Sequence, residues 1–268
     1  MGLYKEEMGL VLGLIYQVRN ELGAGWSEEI YHQTLVYLIQ EKGIPFRSKP
    51  RSALIHRDVE IHIFEPDLIV WGQIILELKV LLDYKGRSFP KANQAQLFHY
   101  LKFYEKPFGY LINFAHSKVG VQRMLFDSAS VEREENYERM RPHVTENDKQ
   151  ILREVRRHIH LLAAQYGPGY PETIYRKLLA VELTYQGISC VDDLDIVAKF
   201  GQHTVGIQKT PCLLIENRFL LHVRSSLTDI PKYDFIKLRT YLNALDLKVG
   251  WVINFGHNTL QIHATVTK

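Results

Sequence analysis

The chain has 268 residues, a hydrophobic fraction of 46% and a net charge of +3. Its halves are alike in charge (15 Lys+Arg against 14 Asp+Glu in residues 1–130, 18 against 16 in the rest), so overall charge neither demands nor forbids nucleic acid, and only a local patch matters. No segment approaches the roughly 18 uninterrupted apolar residues of a membrane helix, and two cysteines, Cys190 and Cys212, exclude a four-cysteine metal or iron–sulfur site within one chain and make a disulfide framework a poor fit.

Helical spacing runs from Glu6 to Leu22, with Leu10, Leu12, Ile15, Val18 and Leu22 apolar, and breaks at Gly23-Ala24-Gly25. Ser27 is a plausible N-cap for a second helix, Glu28 to Lys42, stopped by Gly43. Ile44 to Glu65 reads as extended segments with polar turns. His62–Val70 and Ile74–Leu82 are rich in β-branched residues and predict strands joined by a turn at Trp71-Gly72-Gln73. A polar loop, Asp83 to Lys91, leads to a helix over Ala92–Tyr104, a buried strand over Phe108–Phe114 and an edge strand over Val119–Phe126. Residues 129–146 are charged and lack apolar periodicity, which predicts a linker.

The order then repeats. Gly25-Trp26-Ser27-Glu28-Glu29-Ile30-Tyr31 returns as Gly169-Tyr170-Pro171-Glu172-Thr173-Ile174-Tyr175. Pro66-Asp67 returns as Pro211-Cys212, Glu77-Leu78-Lys79 as His222-Val223-Arg224, and Gly109–Phe114 as Gly250–Phe255. The offset drifts from 144 to 145 to 141, so the copies differ by small loop changes. A period this long marks a duplicated domain; solenoid repeats run at roughly 20–50 residues. The expected organisation is a domain over 1–128, a linker over 129–146 and a second domain over 147–268, each α/β with a central sheet flanked by helices. The duplication is also an internal control. Apolar and glycine positions that persist point to fold; charges present in one copy only point to chemistry.

A turn at Trp71–Gln73 pairs residues whose numbers sum to about 144, which sets Asp67 opposite Glu77. Alternation along the strand puts Lys79 on the same face as Glu77. Their neighbours are almost all apolar: Leu68, Ile69, Val70, Ile75, Leu76, Leu78. Two opposed carboxylates in such surroundings repel unless a cation sits between them, and oxygen-only ligands favour Mg2+ or Mn2+. Such an ion holds a phosphate oxygen and an attacking water, while the lysine orients or deprotonates that water. The plainer reading is an amphipathic hairpin whose polar face happens to hold Asp, Glu and Lys.

Gly25-x-x-Glu28-x-x-Tyr31, Pro66-Asp67 with Glu77-x-Lys79, Ala95-Gln96-Leu97-Phe98-His99-Tyr100-Leu101 and Leu111-Ile112-Asn113-Phe114 together resemble the GxxExxY proteins of the PD-(D/E)XK nuclease superfamily. The resemblance covers residues 5–126 in full and 148–268 in degraded form. It implies two tandem restriction-endonuclease-like domains, each a mixed sheet flanked by helices. It also implies Asp67 and Glu77 as metal ligands, Lys79 as the water-activating or charge-stabilising residue, and Glu28 as a further acidic ligand. Gln96 is implied to orient water or the DNA backbone.

Glu28 persists as Glu172, which fits a helix-start carboxylate as well as a ligand. Tyr31 persists as Tyr175 and reads as a packing residue with a tethered hydroxyl. Gln96 becomes Lys237 and is lost with the site. Lys85, Arg87 and Lys91 are candidate phosphate contacts or a plain solvated loop. Cys212 and His222 offer only two soft ligands, and a decayed site filled as core is the better reading. The expected protein is a cytoplasmic, metal-dependent nuclease acting on nucleic acid, with DNA the expected substrate, and with no membrane partner. Its second domain would be a pseudonuclease packed with the first as an intramolecular pseudo-dimer. The rivals are a non-catalytic nucleic-acid- or protein-binding module and hydrolysis of another phosphate ester.

Overall fold

A computed structural model describes residues 5–83, 88–127, 132–226, 229–256 and 259–267. The chain divides into two compact units, Met1–Leu54 with Ile63–Asp127, and Ile55–His62 with Ser128–Lys268.

The first repeat opens with two helices, α1 (Lys5–Leu22) and α2 (Glu28–Glu41). The short strand β1 (Phe46–Ser48) follows, then a hairpin of β2 (Ser52–His56) and β3 (Val59–Phe64). Next come β4 (Leu68–Val70), β5 (Ile74–Lys79), the helix α3 (Lys91–Phe103), β6 (Phe108–Asn113) and β7 (Gly120–Leu125). The sheet order is β1-β4-β5-β6-β7, with β5 and β6 parallel and the other pairs antiparallel. Every residue of β6 is buried, as a strand covered on both faces requires. On one face, Tyr31, Leu35 and Ile39 of α2 and Val11 and Ile15 of α1 share a core with Leu76, Leu78 and Ile112. On the other, α3 sits so close that a Cβ on Gly109 would lie 2.9 Å from Leu97 Cδ1 and 2.8 Å from the Ile75 carbonyl oxygen. That contact admits glycine alone, and Gly250 repeats it against Leu238 and the Leu220 carbonyl.

The second repeat begins with β8 (Glu132–Asn136) and a 3-10 turn, Glu138–His143. Then come α4 (Glu146–Tyr166), α5 (Glu172–Tyr185), β9 (Cys190–Val191), the hairpin β10 (Leu194–Phe200) and β11 (His203–Thr210), β12 (Cys212–Ile215) and β13 (Phe219–Arg224). The helix α6 (Lys232–Ala244) and strands β14 (Val249–Phe255) and β15 (Thr259–Val266) complete it. Its sheet runs β8-β15-β14-β13-β12-β9, the order of the first sheet with one strand added at the edge.

Two expectations need correction. The strand predicted over His62–Val70 is broken: β3 ends at Phe64 and β4 starts at Leu68, because Pro66 has no N–H to extend a ladder. Residues 129–146 hold a strand and a 3-10 turn where a linker is predicted. β8 escapes apolar periodicity because it lies at a sheet edge and is held by charge: Arg156 and His160 bind Glu135, and Gln261 and His263 bind Glu134.

Tyr31 stacks on Phe114 at 4.5 Å and Tyr175 on Phe255 at 4.2 Å. Each hydroxyl donates to the carbonyl of the glycine that ends the preceding helix, Gly23 or Gly167. The persistent tyrosine is thus a tether between the helix pair and the central parallel strand, repeated in both copies.

The second unit has one charged network that the first repeat lacks. Glu182, 2% exposed, receives Arg57 Nε at 2.8 Å and Gln186 Nε2 at 3.0 Å, and faces His56 Nε2 and His158 Nδ1 at 2.9 Å each. The corresponding first-repeat residues on α1 and α2 are Leu14 and Leu38. The Arg57 guanidinium outweighs burial and pulls the Glu182 carboxyl from 4.5 down to about 2. A depressed acid stabilises the fold above its ordinary pKa, and that stability fades as pH falls towards its folded value. Glu182→Ala is expected to lose roughly 3 kcal/mol at pH 7. The deficit should shrink by about a third at pH 3.5. Urea unfolding at the two pH values checks this; a deficit that does not change with pH would contradict it.

Candidate active site

The β4–β5 register is Leu68↔Leu76, Ile69↔Ile75 and Val70↔Ile74, so paired numbers sum to 144. Trp71, Gly72 and Gln73 form the turn, with Trp71 and Gly72 at positive φ and the Gln73 N–H donating back to Val70 at 3.0 Å. Asp67, one residue ahead of β4, therefore meets Glu77. Its backbone N–H approaches Glu77 Oε2 at 3.4 Å, and its own Oδ2 accepts from the Leu78 N–H at 2.7 Å. Lys79, two residues on and on the same face, donates to Glu77 Oε1 at 2.8 Å and lies 3.9 Å from Glu28 Oε1.

Electrostatics follow from this packing. Glu77 is 2% exposed, and burial first and the Asp67 charge second push its carboxyl up to about 8. Burial also raises Asp67, against the pull of the Leu78 N–H and Lys79. For Lys79 burial works against the ammonium, but Glu77, Glu28 and Asp67 outweigh it and hold the group above its ordinary value. Burial raises Glu28, partly offset by Lys79. The Ser27 side chain does not cap α2, and Glu28 faces Lys79 from the first turn of the helix.

The helix α3 brings Gln96 and Tyr100 to this face. Gln96 Nε2 donates to the Tyr100 hydroxyl at 3.1 Å. Burial and then the Glu77 charge raise the Tyr100 phenol. Gln96 thus reaches the hydroxyl of Tyr100, a residue to which sequence alone assigned no role. His32 was also missed: it is buried on α2, with Nε2 3.2 Å from both the Asp67 carbonyl oxygen and Ser48 Oγ. Both lie on helices whose spacing carries no signal of what they face. Lys91 is exposed in the first turn of α3, while Lys85 and Arg87 lie outside the described residues.

Asp67 and Glu77 offer only oxygen donors, both pushed towards protonation by burial, with Lys79 as their counter-charge. That donor set suits a hard divalent cation. Among the described residues no three His, Cys, Asp or Glu side chains already stand in metal-holding geometry.

The same place in the second unit is built differently. Cys212 pairs with His222 across β12 and β13, at 3.7 Å from Sγ to Nδ1. Burial pushes the thiol up to about 11 and the imidazole down to about 4, so both are neutral at pH 7. Asp234 of α6 fills the region, 3.6 Å from His222 Nε2 and 3.2 Å from Arg224 Nε. Arg224 also binds Glu172 at 2.9 Å, the counterpart of the Lys79–Glu28 approach. A protonated thiol and a neutral imidazole beside a paired Asp234 offer neither a nucleophile nor a carboxylate pair.

No curated protein matches the chain. The solved structure of SSO0001 is 17% identical with a TM-score of 0.30; the match covers 46% of this chain and 61% of that one, so the chain spans less than two thirds of its length. The model of the PD-(D/E)XK nuclease superfamily matches residues 5–124 and again residues 149–265. With the motif carboxylates side by side in the first unit and a family match over both repeats, the chain belongs to the PD-(D/E)XK nuclease superfamily, in tandem duplication.

Proposed function

We propose that the first unit hydrolyses phosphodiester bonds in DNA with Mg2+ or Mn2+, and that the second unit has no cleavage site of its own and supports or positions substrate. The observation that carries this is the meeting of two carboxylates, the half-buried Asp67 and the buried Glu77, with Lys79 on the same face. Burying two acids together is destabilising, and no packing need accounts for it, since the second unit fills the same place with Cys212 and His222.

Asp67 and Glu77 would hold the cation, with Glu28 at the mouth of the site as a further carboxylate. When bound there it supplies Lewis acidity to the scissile phosphate. Lys79, 2.8 Å from Glu77 and 3.9 Å from Glu28, supplies positive charge to the phosphate or orients the attacking water. Tyr100, fixed by Gln96, adds a hydroxyl donor beside the carboxylates. With one such site per chain, a monomer cuts one strand at a time.

A second reading, a nucleic-acid-binding module that does not cut, gains support from Lys79 engaging Glu77 and from the missing three-ligand cluster among the described residues. Cleavage of labelled single-stranded, duplex, flap and RNA substrates separates the two. Metal-dependent products are expected from the wild type, with rates falling about a hundredfold or more in Glu77→Ala and Lys79→Ala. Binding without products from any folded sample would favour the second reading.

On supercoiled plasmid the nicked circle should accumulate ahead of the linear form. Simultaneous appearance of linear product at low enzyme concentration would contradict a single active unit. Tyr100→Phe should slow cleavage by about tenfold without altering the affinity for uncut DNA, read by comparing single-turnover rates with binding in Ca2+.

A further inference from the structure

The second unit contains a cavity of about 380 Å³ between α4, the 3-10 turn and β14. Its wall is aromatic and soft. Trp251, 1% exposed, lies 5.2 Å from Tyr137, and its indole N–H donates to Met140 Sδ at 3.1 Å. Its cations are Arg141, Lys149, Arg153 and Arg156. Lys149 is paired with Glu146 and Arg156 with Glu135. Arg141 and Arg153 are exposed and form no ion pair among the described residues.

Comparison of the repeats singles out these residues. The α1 positions that correspond to Arg153 and Arg156 are Gly9 and Leu12. The 3-10 turn that supplies Arg141 and Met140 lies in the charged segment between the repeats. The unit that lacks acids at its hairpin therefore carries cations at a second place, on the α4 side of its sheet. Trp251 and Gly250 are adjacent on β14 and point to opposite faces, and Gly250 packs against α6, the side of Cys212 and His222.

A volume of 380 Å³ lies near the small end of the roughly 300–1000 Å³ that single small-molecule sites occupy. Two exposed guanidinia without a contact ion pair among the described residues match a phosphate monoester, which carries about two negative charges at pH 7. The aromatic wall beside them suits a flat base. We propose that this cavity binds a nucleotide, its terminal phosphate held by Arg141 and Arg153 and its base packed against the half-buried Tyr137, which Trp251 backs. The ligand is either a free mononucleotide or the 5′-phosphorylated end of a strand. The site is independent of the proposed cleavage site and needs no metal.

Titration calorimetry of the full chain in EDTA tests this with AMP, adenosine, inorganic phosphate and a 5′-phosphorylated trinucleotide. AMP is expected to bind, with adenosine and phosphate each at least about tenfold weaker. Arg141→Glu and Arg153→Glu, both at exposed positions, should each weaken AMP by about tenfold or more while circular dichroism and Tm stay unchanged. Lys79→Ala should leave binding as it was. Binding of the trinucleotide as tight as that of AMP assigns the site to strand ends; its rejection assigns it to free nucleotides. No heat with AMP at about 1 mM, phosphate binding as well as AMP, indifference to both arginine changes, or loss of binding in Lys79→Ala would each overturn the proposal.

Discussion

Two carboxylates facing each other, one of them buried and the other half-buried, dominate the first unit. Asp67 and Glu77 are forced together by the register of one short hairpin, and burial raises both carboxyls there. The surrounding structure answers with donors: the backbone N–H of Leu78 on Asp67, the backbone N–H of Asp67 near Glu77, and the Lys79 ammonium. Pro66 ends β3 and sets the angle at which Asp67 enters, and the turn at Trp71–Gln73 fixes the pairing. A slip of one residue would turn Glu77 and Lys79 to the α1/α2 face, into the apolar core of Tyr31, Leu76 and Ile112.

The second unit shows what this fold does without that repulsion. Cys212 and His222 occupy the paired positions as a protonated thiol and a neutral imidazole, and Asp234 enters from α6 to pair with Arg224. The sheet order, the helix pair, the glycine beneath the crossing helix and the stacked tyrosine are all retained. Nothing in the architecture therefore requires acids at the hairpin. Their presence in the first unit is a destabilising feature kept apart from the features that fold the domain, the usual mark of a site and not of a scaffold.

Much of this was legible in the sequence because the informative signals are local. The β4–β5 pairing follows from apolar runs flanking a turn that contains glycine, and the ends of α1 and α2 follow from Gly23 and Gly43, both at positive φ. The repeat separated Tyr31 from Glu77 without any structure: one persists, the other does not. What stayed hidden is what tertiary packing decides. His32 reaches the Asp67 backbone carbonyl, and Tyr100 comes within the influence of the Glu77 charge, from helices whose own spacing reads as ordinary core. Asp234 is invisible as a partner because it aligns with Asn93 and lies on a different element from the residues it neutralises. The segment 129–146 looked like a linker because an edge strand held by ion pairs needs no apolar period.

Duplication relaxes constraint in one copy, and the charges show where it was relaxed. In the first repeat, Glu28, Asp67, Glu77 and Lys79 converge on the hairpin, while the outer helix α1 has Gly9 and Leu12 where α4 has Arg153 and Arg156. In the second, Glu172, Arg224 and Asp234 neutralise one another, and Arg141 and Arg153, without an ion pair among the described residues, appear on the 3-10 turn and α4. Random decay removes charges from a buried site, because an unpaired buried charge destabilises. It does not by itself gather guanidinia around an aromatic cavity on the other face of the sheet, where Arg141 and Arg153 stand exposed and form no ion pair among the described residues. Cations placed there in one copy only follow the same logic as the paired acids of the first unit: a feature that the fold does not need is kept where something outside the chain uses it.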